Sequence, residues 1–322
     1  MKPLQQCKVL VTPTSYASQD ESLKTELESK VADVVYNTTG KPLSTLQLQD
    51  LLPGVDGMIA GLDEINDQAL ATAQDLKVVA RYGVGVNNVD LESAKRRGII
   101  VTNTPRANSK AVAELTVTLI LILLRPVMQC AKLTKDGGWP RQKAYSLEGK
   151  TVGLYGAGAI GKEVARRLCG FDCAVLAYDI EEDEPFAGEY DIQYVSSDDL
   201  LDQSDVVSLH IPGTPATMEM VNEEFIGKMK DGAWLVNTAR GDLVDEDALV
   251  KALESGKLRG AALDVFQEEP PRKDHPFFEI ENIILTPHMG AHADSATNRM
   301  GRMALDECIR VLSGEQPRYQ VV

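Results

Sequence analysis

The sequence predicts an α/β protein made of two doubly wound, parallel-sheet domains in succession. Three observations carry that expectation. Short apolar, β-branched runs recur without polar alternation, the pattern of strands covered on both faces. Helical segments lie between several of them. The alternation then restarts at residue 151.

The first round of strands is "KVLVTP" (8–13), "ADVVYN" (32–37), "GMIA" (57–60), "LKVVARYG" (76–83) and "GIIVTNTP" (98–105). "DESLKTELESK" and "DLESAKRRG" read as helices between them, the second stopped by Gly98. "LTVTLILILL" (115–124) is the longest apolar stretch, yet a bilayer span needs about 20 residues. It is expected to be a buried helix, with a subunit interface as one place for it. The second round is "TVGLYG", "AVLAYD" (174–179), "DVVSLHIP" (205–212), "AWLVNTAR" (233–240), "RGAALDVF" (259–266) and "NIILTPH" (282–288). "DEDALVKALESGK" (245–257) has acids at its start and lysines late, as a helix dipole favours. "MALDECIRVLSG" adds one or two helices near the C-terminus.

Composition narrows the function classes. With 33 Lys and Arg against 48 Asp and Glu the formal charge is 33 − 48 = −15. Such a surface repels phosphate backbones and anionic lipid, so neither nucleic acid nor membrane is an expected partner. Five scattered cysteines, an odd number, read as reduced thiols of a cytoplasmic protein rather than a disulfide or metal framework. The polar, early proline-broken N-terminus does not read as a signal peptide.

The most specific motif is "TVGLYGAGAIGKEVARRL". Gly156, Gly158 and Gly161 follow an apolar strand and open a helix. The first glycine makes the tight turn, the second lets backbone approach a pyrophosphate, and the third lets helix pack on strand. The helix N-terminus offers free N–H groups and a positive dipole to the anion. Asp179 ends the next strand, 179 − 161 = 18 residues past the third glycine. A carboxylate there accepts from ribose hydroxyls, and with the following "IEEDE" it disfavours a 2′-phosphate. NAD is therefore the expected cofactor.

In open parallel sheets ligands bind beyond the carboxyl ends of the strands. Those ends carry Thr238-Ala239-Arg240, then Asp264 followed by Glu268 and Glu269, then Pro287-His288. A cation for a carboxylate, an acid and an imidazole base are what hydride transfer from an alcohol requires. His288 and His292 are four apart, a spacing that also suits zinc. "HMGAH" lacks the interior Glu of metalloprotease motifs and no third ligand is evident, so no metal site is expected. His292 is read as a cap substitute or surface residue, His210 as lining the cofactor cleft, and His275 as a loop residue.

"GLYGAGAIGKEVARRL", "NTARGDLVDEDALVKAL", "GAALDVFQEEPP" and "LTPHMGAH" together resemble the signature blocks of the D-isomer-specific 2-hydroxyacid dehydrogenases. "RYGVGVNNVDLESAKRRGIIVTNTPRANSKAVAELT" is similar to the first-domain block of their phosphoglycerate dehydrogenase branch. The likeness covers most of residues 55–300. It implies a homodimer whose subunits have Rossmann-like/flavodoxin-like domains with a cleft between them. Residues 1–103 completed by 294–322 would bind substrate, and 104–293 would form the NAD-binding Rossmann domain.

By position the resemblance makes Arg240, Glu269 and His288 catalytic. Arg240 would fork onto the carboxylate of a small 2-hydroxy or 2-oxo acid. His288 would move the hydroxyl proton, and Glu269, chosen over Glu268, would hold the ring and favour its charged form. Further NAD contacts are implied at Ala159, Ile160, Thr238, Ala239, Asp264 and Gly290. Arg81, Gly83, Val84 and Gly85 would meet substrate, the glycines freeing backbone N–H groups for an anion. Phosphoglycerate dehydrogenases place an arginine after the third strand. Here "GMIAGLDEIND" offers Gly61 and the acids Asp63 and Glu64, which would repel a phosphate, with Arg81, Arg106, Lys110 and Arg141 left to compensate. Two substrate readings thus stay open: 3-phosphoglycerate, or glyoxylate and hydroxypyruvate. One branch of the superfamily resembles non-catalytic NAD-sensing co-repressors; the Arg–Glu–His set weighs against it.

Overall fold

A computed structural model describes residues 2–322. The chain divides into two units, Met1–Asn108 with Ala291–Val322, and Ser109–Gly290.

Unit 1 holds five parallel strands, β1 (Lys8–Val11), β2 (Asp33–Tyr36), β3 (Gly57–Ala60), β4 (Val78–Arg81) and β5 (Ile100–Thr102), in the order β2-β1-β3-β4-β5. That is the flavodoxin-like order. Each strand is three or four residues long and mostly apolar because helices cover both faces. On one face Leu23 and Leu27 of the helix Ser22–Lys30 pack with Met300, Ala304, Leu305 and Cys308 of the helix Asp294–Leu312. On the other, Leu48, Leu52 and Leu70 cover Leu10, Met58 and Val79. Gly301 is required where the C-terminal helix crosses: a Cβ there would lie 2.7 Å from Leu23.

Unit 2 holds seven parallel strands: β6 (Thr151–Tyr155), β7 (Ala174–Tyr178), β8 (Ile192–Tyr194), β9 (Val206–Leu209), β10 (Ala233–Asn237), β11 (Leu258–Leu263) and β12 (Ile283–Leu285). Their order is β8-β7-β6-β9-β10-β11-β12, so the winding reverses between β6 and β9. Ligands of doubly wound sheets sit at that reversal. The apolar stretch lies in the helix Ser109–Leu124, with Val117, Leu119, Ile120 and Leu124 in the core of the sheet. No single described helix is long and apolar enough to cross a membrane.

The sequence pattern locates every strand except β8. Ile-Gln-Tyr is too short for periodicity, and its one apolar neighbourhood is a sheet edge. The C-terminal stretch folds as one helix, Asp294–Leu312.

Candidate active site

The dinucleotide turn takes the form its glycines require. Gly156 follows β6 at φ +107°, and a Cβ there would sit 2.8 Å from the His210 carbonyl at the end of β9. A Cβ on Gly161 would meet the Gly156 carbonyl oxygen at 2.2 Å. Gly158 caps the helix Ala159–Leu168, and Gly158 and Ala159 are exposed while Ile160 is half-buried against the core. Asp179, just past β7, accepts the Ala157 N–H on Oδ2 at 2.6 Å and the Glu181 N–H on Oδ1 at 3.1 Å. It therefore shapes the turn while leaving oxygen lone pairs for a further donor.

His210 lies at the β6/β9 reversal. Its Nε2 meets Ser208 Oγ at 3.0 Å, and its Nδ1 is buried with no hydrogen-bond partner among the described residues. Burial pushes the imidazole from 6.5 down to about 3, so the ring is neutral. A turn in which Gly156 and Gly161 leave no room for a Cβ, an exposed Gly158 at the helix start, a carboxylate at the next strand end and a buried His210 ring nitrogen with no hydrogen bond among the described residues fit a dinucleotide.

Beyond β10, Asn237 is fully buried. Its Oδ1 accepts the Ala239 N–H at 3.0 Å and its Nδ2 donates to the Arg240 carbonyl at 2.7 Å. This strap fixes the turn that presents Arg240. Thr238 Oγ1 meets Thr116 Oγ1 of the long apolar helix at 2.8 Å, so Thr238 is locked inward. Arg240 Nη1 donates to the Ala239 carbonyl at 2.6 Å. Burial draws its guanidinium below the ordinary arginine value, the charges of Asp242 and Glu269 oppose that, and it remains a cation.

Glu269 and His288 meet directly, Oε2 to Nδ1 at 2.6 Å, with both side chains 30% exposed. The other carboxylate oxygen accepts the Phe266 N–H at 3.1 Å. Glu269 is thus held at both ends, whereas Glu268 reaches only Arg272, at 3.8 Å on the surface. The Nε2 of His288 has no hydrogen-bond partner among the described residues. His288 adopts φ +50°, a left-handed conformation unusual for a side chain with a Cβ. Asp264 over-determines it: Oδ1 accepts Thr286 Oγ1 at 2.6 Å and the Met289 N–H at 2.9 Å, and Oδ2 accepts the Gly290 N–H at 2.8 Å. Asp264 and Gly290 build the turn that aims the histidine. Neither Asn237 nor Asp264 announces such a duty in the sequence beyond being a polar residue at a strand end.

In unit 1, Arg81 is buried. Its guanidinium donates to the carbonyls of Ala60 and Tyr82 and to Asn88 Oδ1. Asn88 in turn donates to the Gly61 and Asp63 carbonyls at 3.1 and 2.8 Å. Gly83 has φ +152°, and a Cβ there would strike the Arg81 guanidinium at 2.9 Å. The arginine therefore underpins the Gly83–Val84–Gly85 turn. Asp63 is fully buried, accepting from Thr12 Oγ1 and from the Leu43 and Gly61 N–H groups. It is a structural acid, and the expectation that it faces an anion does not hold. Glu64 is exposed but engages Thr45 and Asn66. Leu62 and Val84 are exposed apolar side chains beside these turns, and Arg106 and Lys110 are exposed cations further on. Arg141 is an exposed cation of unit 2.

His275 lies in a loop, as expected, but is buried there, bonded to Glu246 at 3.0 Å and capping the short helix Pro276–Glu279. Of the two readings of His292, cap substitute or surface residue, the second describes it: it is exposed, and Ala293 holds the cap position of the last helix. Among the described residues no cluster of three metal-ligating side chains occurs.

A dinucleotide turn at a sheet reversal, with Arg240, Glu269 and His288 on neighbouring strand ends, defines an NAD-dependent oxidoreductase. The NAD-binding domain model of the D-isomer specific 2-hydroxyacid dehydrogenases matches residues 117–290, more than half of the chain. The chain belongs to that family. It is 40% identical over 298 residues to a glyoxylate reductase from Thermofilum pendens, covering 88% of this chain and 86% of that one. It is 41% identical over 255 residues to a D-3-phosphoglycerate dehydrogenase from Methanocaldococcus jannaschii, covering 78% of this chain and 48% of that one. It therefore spans about half the length of that second relative. A solved structure from Thermus thermophilus superposes with a TM-score of 0.87 at 37% identity, covering 98% of this chain and 100% of the other.

Proposed function

We propose that the protein is a reductase for a small, unphosphorylated 2-oxo acid of the glyoxylate or hydroxypyruvate type. The observation that carries the chemistry is the 2.6 Å contact between Glu269 and His288, with the cation of Arg240 near enough to feel Glu269. Arg240 would fork onto the substrate carboxylate. His288 would donate its Nε2 proton to the 2-oxo oxygen, turning it into a hydroxyl, and Glu269 would balance the charge of the ring. Bound NADH would supply the hydride for carbon 2. In the reverse direction His288 takes the proton back. Gly156, Gly158, Gly161, Asp179 and His210 would hold the cofactor, and the Gly83–Val84–Gly85 turn suits a carboxylate.

The absence of phosphate from the substrate rests on β3 ending in Gly61-Leu62-Asp63-Glu64, which offers no cation, and on Arg81 being enclosed. The second reading, 3-phosphoglycerate, has the identity to the Methanocaldococcus jannaschii dehydrogenase in its favour. Oxidation of NADH against glyoxylate, hydroxypyruvate, pyruvate and phosphohydroxypyruvate separates the two. We expect the first two to give the highest kcat/KM; a preference for the phosphorylated compound overturns the substrate assignment.

The five cysteines are free, which suits a cytoplasmic location. A homodimer is proposed on the apolar surface around the helix Val127–Lys135, where Val127, Met128 and Trp139 are 57%, 59% and 81% exposed.

A further inference from the structure

His275 and Glu246 lie outside the catalytic set, yet the histidine is buried and its partner half-buried, with side chains 7% and 19% exposed. Glu246 is the first residue of the helix Glu246–Glu254, a few residues after Arg240. Its Oε2 meets His275 Nε2 at 3.0 Å and its Oε1 accepts the Gln267 N–H at 3.3 Å. His275 Nδ1 accepts the Phe277 N–H at 3.3 Å, which places the ring hydrogen on Nε2, where Glu246 receives it. The ring is also packed against Phe266 and Phe277, at 6.0 and 4.7 Å between centroids.

These contacts stitch two segments of unit 2 together. One runs from Arg240 to Glu246. The other is the loop between β11 and β12, which carries Phe266, Gln267 and Glu269. Gly241 lies so close to the loop that a Cβ would be 1.9 Å from the Phe266 carbonyl carbon, and Gln267 Nε2 donates to the Val244 carbonyl at 2.8 Å. Phe266 then hands the constraint on, because its N–H fixes Glu269, which fixes His288. We propose that Glu246 and His275 are a positioning pair that sets where the Glu269–His288 couple stands relative to Arg240. The inference rests on the proposed roles of those three residues.

Two substitutions separate the functions of the ring. His275→Asn keeps an acceptor for the Phe277 N–H but is too short to reach Glu246. His275→Gln keeps a donor to Glu246 and loses the acceptor. In H275N we expect kcat for 2-oxo acid reduction to fall roughly tenfold, as for a small misplacement of catalytic groups. The pH profile of kcat/KM should change as well, because the Glu269–His288 contact is no longer held in place through Phe266. NADH affinity should be unchanged, and H275Q should restore most of kcat. Unchanged kcat and pH profile in a folded H275N overturn the proposal. If H275N does not fold, E246Q is measured in its place with the same expectation and the same overturning result. Should the wild-type protein reduce no 2-oxo acid, the proposed function fails. The NMR titration of the His288 ring, compared between wild type and H275N, then decides the positioning role: a displaced midpoint supports it and a coincident one overturns it.

Discussion

His288 is anchored at Nδ1 by Glu269 and bent into a left-handed turn by Asp264, an arrangement that makes sense for a ring whose second nitrogen must meet something else. His288→Ala should lower turnover by roughly 10²-fold while leaving NADH affinity intact, as removal of a general acid–base does. Steady-state rates and a fluorescence titration with NADH check this, and parallel loss of rate and binding would count against the role. At this scale the sequence was informative about chemistry and poor about support. Strand ends in a parallel sheet share a rim, which drew attention to Arg240, Glu268, Glu269 and His288, and the family resemblance then picked Glu269 over Glu268. Their braces could not be singled out, since Asn237, Asp264 and Glu246 act through hydrogen bonds to backbone groups distant in the chain. Asp63 misled for the same reason: an acid beside a strand end looks like surface until the Leu43 N–H is seen to reach it. Arg81 likewise resembles a substrate cation in the sequence, and in the fold its guanidinium closes over the Ala60 and Tyr82 carbonyls.

The form of the strand-to-helix connection after β6 was legible, and Gly156 and Gly161 have steric reasons to be there, whereas a Cβ on Gly158 would meet nothing within 4 Å. Its neighbour at the end of β9 was only half legible. His210 was expected to line the cofactor cleft, but the neutral state of its ring comes from burial, which spacing does not reveal. The burial has a thermodynamic sign. The folded ring holds out against protonation until about pH 3, whereas an unfolded histidine takes a proton near 6.5. Between those values the unfolded chain binds the extra proton, so stability is lost as pH falls from 6.5 toward 3. His210→Gln should therefore show a shallower fall in Tm between about pH 6.5 and pH 4 than the parent protein. Thermal melts across that range test it; parallel curves would mean that the ring is protonated in the folded state. β8 escaped notice because three residues at a sheet edge carry neither alternation nor an apolar run.

At the scale of the molecule, the net charge of −15 favours solubility, so the uncovered side chains of Val127, Met128 and Trp139 stand out against it. Sedimentation should show twice the 35.1 kDa chain mass, and Met128→Glu with Trp139→Glu should halve it. A wild-type protein already sedimenting as single chains would remove the case for a dimer. The two-round alternation of strands and helices predicted both sheets, but not that Leu23 and Met300, from opposite ends of the chain, would share one core. That shared core carries a consequence for biosynthesis. Because the helix Asp294–Leu312 completes the packing around Leu23 and Leu27, the first unit cannot close while the ribosome is still making the second. The inserted unit can finish first, while Leu23 and Leu27 wait, wetted and available to chaperones, until the helix Asp294–Leu312 has been made.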